Sequence, residues 1–109
     1  MSYNIKTISV FEKQTKRLIK KYTSLKKDLY TLINSLKENP EQGKYLGKNC
    51  YKIRLAISSK GKGKSGGARV ITNFVITENT VYLLSIYDKA EKENLTDKEL
   101  QELLNFIPV

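Results

Sequence analysis

The sequence predicts an α+β fold, with two N-terminal helices and a C-terminal helix packed on a small, mainly antiparallel sheet in the order β-α-α-β-β-β-α. Three observations predict it. Apolar residues recur at helical spacing between Phe11 and Leu36. From Cys50 the pattern switches to strict alternation. A last helical stripe follows a capping signature at Thr96. The chain of 109 residues makes residues 1–109 one domain, with no repeat and no linker to divide it.

Each element has its own warrant. Tyr3 to Ile8 reads as a short strand. Ser9 followed by Glu12 has capping-box spacing, so a helix is expected to start there, with Phe11, Leu18, Ile19 and Tyr22 on one side. Thr23 and Ser24 interrupt it. A second helix from Leu25 to Glu38 carries Leu25, Leu29, Leu32, Ile33 and Leu36, and Asn39-Pro40 stops it. The outer faces of this helical pair hold Lys13, Lys16, Arg17, Lys20, Lys21, Lys26 and Lys27.

Along residues 50–57, Tyr51, Ile53, Leu55 and Ile57 face one way and Lys52 and Arg54 the other. Residues 58–67 read as a loop by composition, 68–77 as a strand, Glu78-Asn79 as a turn, and 80–87 as a strand apolar enough on both faces to lie inside the sheet. Three strands with short connections favour a meander, with the helices on one face. Thr96 and Glu99 form a second capping box, and Leu95 with Leu100 fits a hydrophobic staple. Leu100, Leu103, Leu104 and Ile107 line the final helix, which Pro108 ends.

Charge narrows the partners. Lys and Arg total 20 against 11 Asp and Glu, a net +9. Residues 1–43 carry net +5, residues 44–77 carry eight cations and no carboxylate, and residues 78–109 carry net −4. An anionic partner is therefore expected, nucleic acid first. With no histidine and Cys50 as the sole cysteine, a disulfide within the chain is excluded and a metal site or cofactor is not expected. No apolar run reaches the roughly 18 residues of a membrane span. The N-terminus has no apolar signal-peptide core, so the cytoplasm is the expected compartment.

If the helices cover the Ile53 side, Lys52 and Arg54 project from the opposite face. Antiparallel return through the loop brings Arg69 beside them, and Tyr87 and Lys89 end the next strand with matching parity. Lysines that blunt a sheet edge are the structural alternative. The chemistry such a cluster supports is RNA scission by the 2′-hydroxyl. Arginines fork onto phosphate oxygens. A lysine among cations has a lowered pKa and can trade protons. Tyr87 can transfer a proton or stack on a base. Lys60, Lys62, Lys64 and Ser65 in the loop, with Lys48, are the expected RNA-binding residues. Gly63-Lys-Ser65 does not make a nucleotide-triphosphate loop: position 58 is Ser58 rather than glycine, and a strand rather than a helix follows.

Cys50-Tyr-Lys-Ile-Arg-Leu55, Gly61-Lys-Gly-Lys-Ser-Gly-Gly-Ala-Arg-Val-Ile71 and Leu84-Ser-Ile-Tyr-Asp-Lys-Ala-Glu91 resemble the RelE/ParE superfamily of type II toxins, nearest its HigB/RelE-like branch. The resemblance implies a small cytoplasmic toxin held by a cognate antitoxin, with operator DNA met only through that antitoxin and no membrane partner. It further implies metal-independent mRNA cleavage in the ribosomal A site. In its terms Lys52 and Arg54 match the basic pair, Arg69 the phosphate-binding arginine and Lys89 a basic position after the last strand. The family's C-terminal tyrosine has no counterpart in Lys92-Glu-Asn-Leu95. A ParE-type gyrase inhibitor and a non-catalytic basic nucleic-acid-binding module are the alternatives, because fold alone does not fix function.

Overall fold

A computed structural model describes residues 2–108. The elements are β1 (Asn4–Thr7), α1 (Ser9–Lys21), α2 (Leu25–Glu38), β2 (Lys44–Gly47), β3 (Cys50–Leu55), β4 (Ala68–Val75), β5 (Thr80–Asp88) and α3 (Asp97–Leu104). Single-turn 3₁₀ helices occupy Ser58–Lys60 and Ile76–Glu78. Five strands form one sheet in the order β1-β5-β4-β3-β2. Every pairing is antiparallel except β1 with β5, which is parallel, so the sheet is mixed. The helices and the β3-β4-β5 meander agree with the sequence reading.

Strand β2 was not anticipated. Four residues, Lys-Tyr-Leu-Gly, are too short to display an alternation. What makes the strand is the turn after it: Lys48 and Asn49 both adopt positive φ, 52° and 61°, which closes a two-residue hairpin with the twist its strands need. Gly43 leads into β2 at φ +94°, and a Cβ there would lie 2.4 Å from the Lys52 carbonyl oxygen. Only glycine allows that approach.

The two capping boxes fare differently. At α3 the Thr96 hydroxyl accepts from the Glu99 amide at 3.1 Å, and the Glu99 carboxylate accepts from the Thr96 amide at 3.0 Å. At α1 the box is absent. Ile8 is the N-cap, Ser9 is already helical, and the Thr7 hydroxyl donates to Glu12 instead. The chain enters α1 straight from a sheet strand, and the Ile8 amide donates to the Leu83 carbonyl at 3.4 Å. That tie fixes the helix start one residue before the expected cap.

Strand β4 is buried from Ala68 to Phe74 and forms the middle of the sheet. Leu18 of α1, Leu25 and Leu36 of α2, and Val70, Leu83 and Ile86 of the sheet are essentially inaccessible to water. The helices do not share one face. Pairing aligns Lys52, Ile71 and Ser85 in one row and Arg54, Arg69 and Tyr87 in the next, all on one side. Leu95, Leu103 and Phe106 of the C-terminal segment line a cavity with Ser85 and Tyr87 on that same side. β1 is too short to cover all of β5. Beyond its end, the Gln14 side-chain oxygen of α1 accepts from the Ile86 amide at 3.0 Å and the Ser85 hydroxyl at 3.1 Å, closing the open strand edge.

One buried carboxylate ties the helical pair to the sheet. Asp88, at the end of β5, accepts from the Tyr22 hydroxyl, from Lys60 Nζ at 2.9 Å and from the Ala90 amide at 3.0 Å. Burial alone would raise its pKa. The Tyr22 hydroxyl, the Lys60 ammonium and the Ala90 amide outweigh that and hold it at about 2. Because the folded pKa is depressed, the stabilisation is whole above the free carboxyl value of 3.8. It fades as the pH falls from there toward about 2. Asp88→Asn leaves the Lys60 charge buried without its partner and is expected to cost about 3 kcal/mol. Urea unfolding at pH 7 and pH 3 checks both points: the gap between wild type and variant is expected to narrow at the lower pH.

Candidate nucleic-acid interface

Lys52, Arg54 and Arg69 come together because β3 and β4 pair in a register that sets Arg54 directly opposite Arg69 and Lys52 opposite Ile71. Arg69 in turn sits opposite Tyr87 of β5. Like charges in direct cross-strand contact repel. The molecule resolves this by turning the two guanidinium groups to different tasks. Arg54 is exposed. Arg69 is only 3% exposed, and its guanidinium donates to the carbonyls of Lys64 and Ala68, both at 3.0 Å, and of Ser65 at 3.4 Å.

Lys52 is half-buried between these groups. Its pKa is lowered, first by burial and then by Lys44, Arg69, Arg54 and Lys89. Lys44 is the cation that the sequence reading missed. It pairs with Lys52 across the β2–β3 hairpin. The signal was present in Gly47-Lys-Asn-Cys50, where two turn-forming residues separate short β segments and set up that pairing.

An open groove of about 790 Å³ runs beside the cluster between α2 and β3. Lys44, Lys52, Arg54 and Lys64 supply its cations. The 34-residue stretch without a carboxylate suggested an acid-free site, but α2 brings Asp28 into this groove. Its oxygens are already engaged, accepting from the Ser58 amide at 2.9 Å, the Ser24 hydroxyl at 2.8 Å and the Ser58 hydroxyl. Burial would raise the Asp28 pKa; the Ser58 and Ser24 donors, with Lys27, more than reverse that and lower it. The carboxylate therefore fastens the turn at Ser58 to α2.

The other expected site residues divide. Lys62, Lys64 and Ser65 are exposed on the loop, and Lys89 is half-buried at its base, where its amide donates to the Gly67 carbonyl at 3.1 Å. Lys60 is not free for RNA: it pairs with buried Asp88 and lies 5.3 Å from the Tyr22 ring centre. Lys48 sits in the left-handed β2–β3 turn and donates to Gln101 of α3, at the end of β3 away from Arg54. Tyr87 is 5% exposed, in the cavity between β5 and the C-terminal segment, and its hydroxyl has no hydrogen-bond partner among the described residues. Burial raises its pKa, Arg69 opposes this and Glu99 adds to it, so the phenol stays protonated at neutral pH.

A five-stranded mixed sheet with a helical hairpin at the start, a short helix at the end and a cationic cluster across two adjacent strands defines the chain as a small basic α+β protein. A family model described as the RelE toxin of the RelE/RelB toxin–antitoxin system matches residues 8–107, and the chain belongs to that family. Similar solved structures include a mutant of the E. coli toxin RelE in the free state, 19% identical over 99% of this chain and 100% of that one, with a TM-score of 0.63. The isolated E. coli RelE toxin is 15% identical over 97% of this chain and 100% of that one, with a TM-score of 0.63. The intact E. coli RelBE toxin–antitoxin complex is 19% identical over 80% of this chain and 96% of that one, with a TM-score of 0.62. At these identities the structural likeness supports the fold.

Removing the charge opposite Lys52 is expected to move its pKa upward, toward that of a free lysine. A side-chain NMR titration of Lys52 in Lys44→Gln at low salt measures this. The difference from wild type is expected to shrink at about 1 M salt, where screening is nearly complete. An unchanged Lys52 titration would mean that the cross-strand pair is not electrostatically joined.

Proposed function

We propose that the chain cleaves mRNA on the ribosome as the toxin of a type II pair, by attack of a 2′-hydroxyl on the adjacent phosphodiester. The observation that carries this reading is the register that brings Lys52, Arg54 and Arg69 to one face of adjacent strands. The reaction needs a base for the 2′-hydroxyl, cationic donors for the pentacoordinate phosphate and a proton for the departing 5′-oxygen. Lys52 suits the base, since its lowered pKa leaves more of it neutral near physiological pH. Arg54 is exposed and presents a fork for the phosphate oxygens. Lys89 stands nearest in role to the proton donor. Tyr87 keeps its proton but is covered by the C-terminal segment, which argues against its reaching the substrate in this conformation. No metal enters any of these steps.

The E. coli RelBE structure is a toxin–antitoxin complex. It supports a cognate antitoxin as the partner of this chain too, and the net +9 charge suits an acidic segment of that partner.

Induction of the wild-type chain is expected to produce mRNA fragments with 5′-hydroxyl ends clustered in codon register. Lys52→Ala is expected to slow cleavage about 10²- to 10⁴-fold. Arg54→Ala is expected to slow it about 10²- to 10³-fold. Sequencing of 5′ ends, alongside plasmid supercoiling, decides the matter. Relaxed or broken DNA with intact mRNA would sink the nuclease reading in favour of a gyrase poison.

A further inference from the structure

The β2–β3 turn works against its own residues. Both central positions are left-handed, Lys48 at φ 52° and Asn49 at φ 61°. Two-residue turns of this kind favour Asn-Gly, and a lysine at the first position is strained. The hold comes from outside the turn. Asn73 of β4 is 6% exposed, and its side-chain amide donates to the Lys48 carbonyl at 3.0 Å and the Asn49 carbonyl at 3.3 Å, with Cys50 Sγ at 3.4 Å. The Phe74 amide adds a bond to the Asn49 carbonyl at 2.9 Å. Two carbonyl acceptors call for a side chain that donates twice, which an amide does and a carboxylate does not.

What the turn controls is β2. That strand is four residues long, lies at the sheet edge and pairs with β3 alone. Its register sets Tyr45 opposite Tyr51 and Lys44 opposite Lys52. Two ammonium groups in that relation repel, so the lysine pair itself works against the register and something else must impose it.

We propose that Asn73 is a positioning residue for Lys52: by holding the β2–β3 turn through the Lys48 and Asn49 carbonyls, it fixes the register that stands Lys44 across from Lys52. This rests on the nuclease reading given above, in which Lys52 takes the proton of the 2′-hydroxyl. The charged groups around Lys52 are Lys44 on β2, Arg54 on β3, Arg69 on β4 and Lys89 after β5, with Asp28 of α2 and Lys64 of the loop in the adjoining groove. Tyr87 of β5 stands in the next row and is neutral. Only Lys44 is carried by the turn. Arg54 and Arg69 are set by β3–β4 pairing, Lys89 by its amide bond to Gly67, Lys64 by its carbonyl on Arg69 and Asp28 by Ser24 and Ser58. Releasing the turn therefore takes one cation away from Lys52 and leaves the rest in place.

A double-mutant cycle on Asn73→Leu and Lys44→Gln tests this, read by side-chain NMR titration of Lys52 at low salt. Leucine keeps the volume and burial of Asn73 and removes both donors. Asn73→Leu is expected to raise the Lys52 pKa as far as Lys44→Gln does, and the double variant no further, since both changes remove the same cation. Below its pKa, each rise of 0.5 lowers the neutral fraction of Lys52 about threefold. Cleavage by Asn73→Leu near pH 7 is expected to fall in that proportion, with its pH profile moved toward alkaline pH and the plateau rate within about twofold of wild type. Asn49→Gly, which suits the left-handed turn without a clamp, is expected to return the Lys52 titration of Asn73→Leu to that of wild type. Asn73→Ser, with one hydrogen to give, provides the same comparison should Asn73→Leu not fold, with a smaller shift expected. A Lys52 titration unmoved by loss of the Asn73 amide would overturn the proposal. So would additive shifts in the double variant, or a plateau rate that falls at every pH without a move of the profile. If wild type leaves mRNA whole, the nuclease reading falls separately, because the Lys52 titration does not depend on cleavage.

Discussion

Arg54 and Arg69 are direct cross-strand partners, and two guanidinium groups so placed repel unless something else takes up their charge. Carbonyl oxygens from the glycine-rich loop do so for Arg69, and Arg54 is left exposed. That division shapes the neighbourhood. It folds the loop back over β4, requires glycine where Gly67 passes the Leu55 carbonyl, and leaves Lys52 among cations with its pKa lowered. The positive field of this face and the repulsion that must be offset to fold are one and the same.

The opposing carboxylates are kept from cancelling that field. Asp88 and Asp28 both hydrogen-bond to the start of the loop, and each is engaged by hydroxyl, amide or ammonium donors from elements distant in sequence. Asp88 joins Tyr22 at the end of α1 to Lys60 at the start of the loop. Asp28 joins α2 to the turn at Ser58. Both anchor the loop, one at each side of its beginning, while their charges are absorbed internally. The groove beside β3 then presents its lysines and Arg54 with no free acid to compete.

How far the site was legible depends on which residue is asked. Lys52, Arg54 and Arg69 follow from period-two alternation plus one antiparallel return, which are local patterns. Lys60 has the same local character as Lys62 and Lys64, yet it pairs with an aspartate 28 positions away, and nothing in a Gly-Lys loop announces that. Tyr87 has the correct parity, but α3 lies over that side of β5, and parity is silent on what covers a face. The capping boxes teach the same lesson. Thr96 has no strand pulling on it and caps α3; Ser9 is overridden by the tie of Ile8 to Leu83.

By itself the sequence determined the helices, the β3-β4-β5 meander, the sign of the field and the face on which Lys52, Arg54 and Arg69 stand, because periodicity and charge are properties of neighbours along the chain. The tertiary structure decided which of those cations are available. Burial of Arg69 under its loop, capture of Lys60 by Asp88, the pairing of Lys44 with Lys52 and the cover over Tyr87 all arise between segments far apart in the chain. Desolvation and hydrogen-bond partners, which set whether a charge can meet a ligand, exist only once those segments have met.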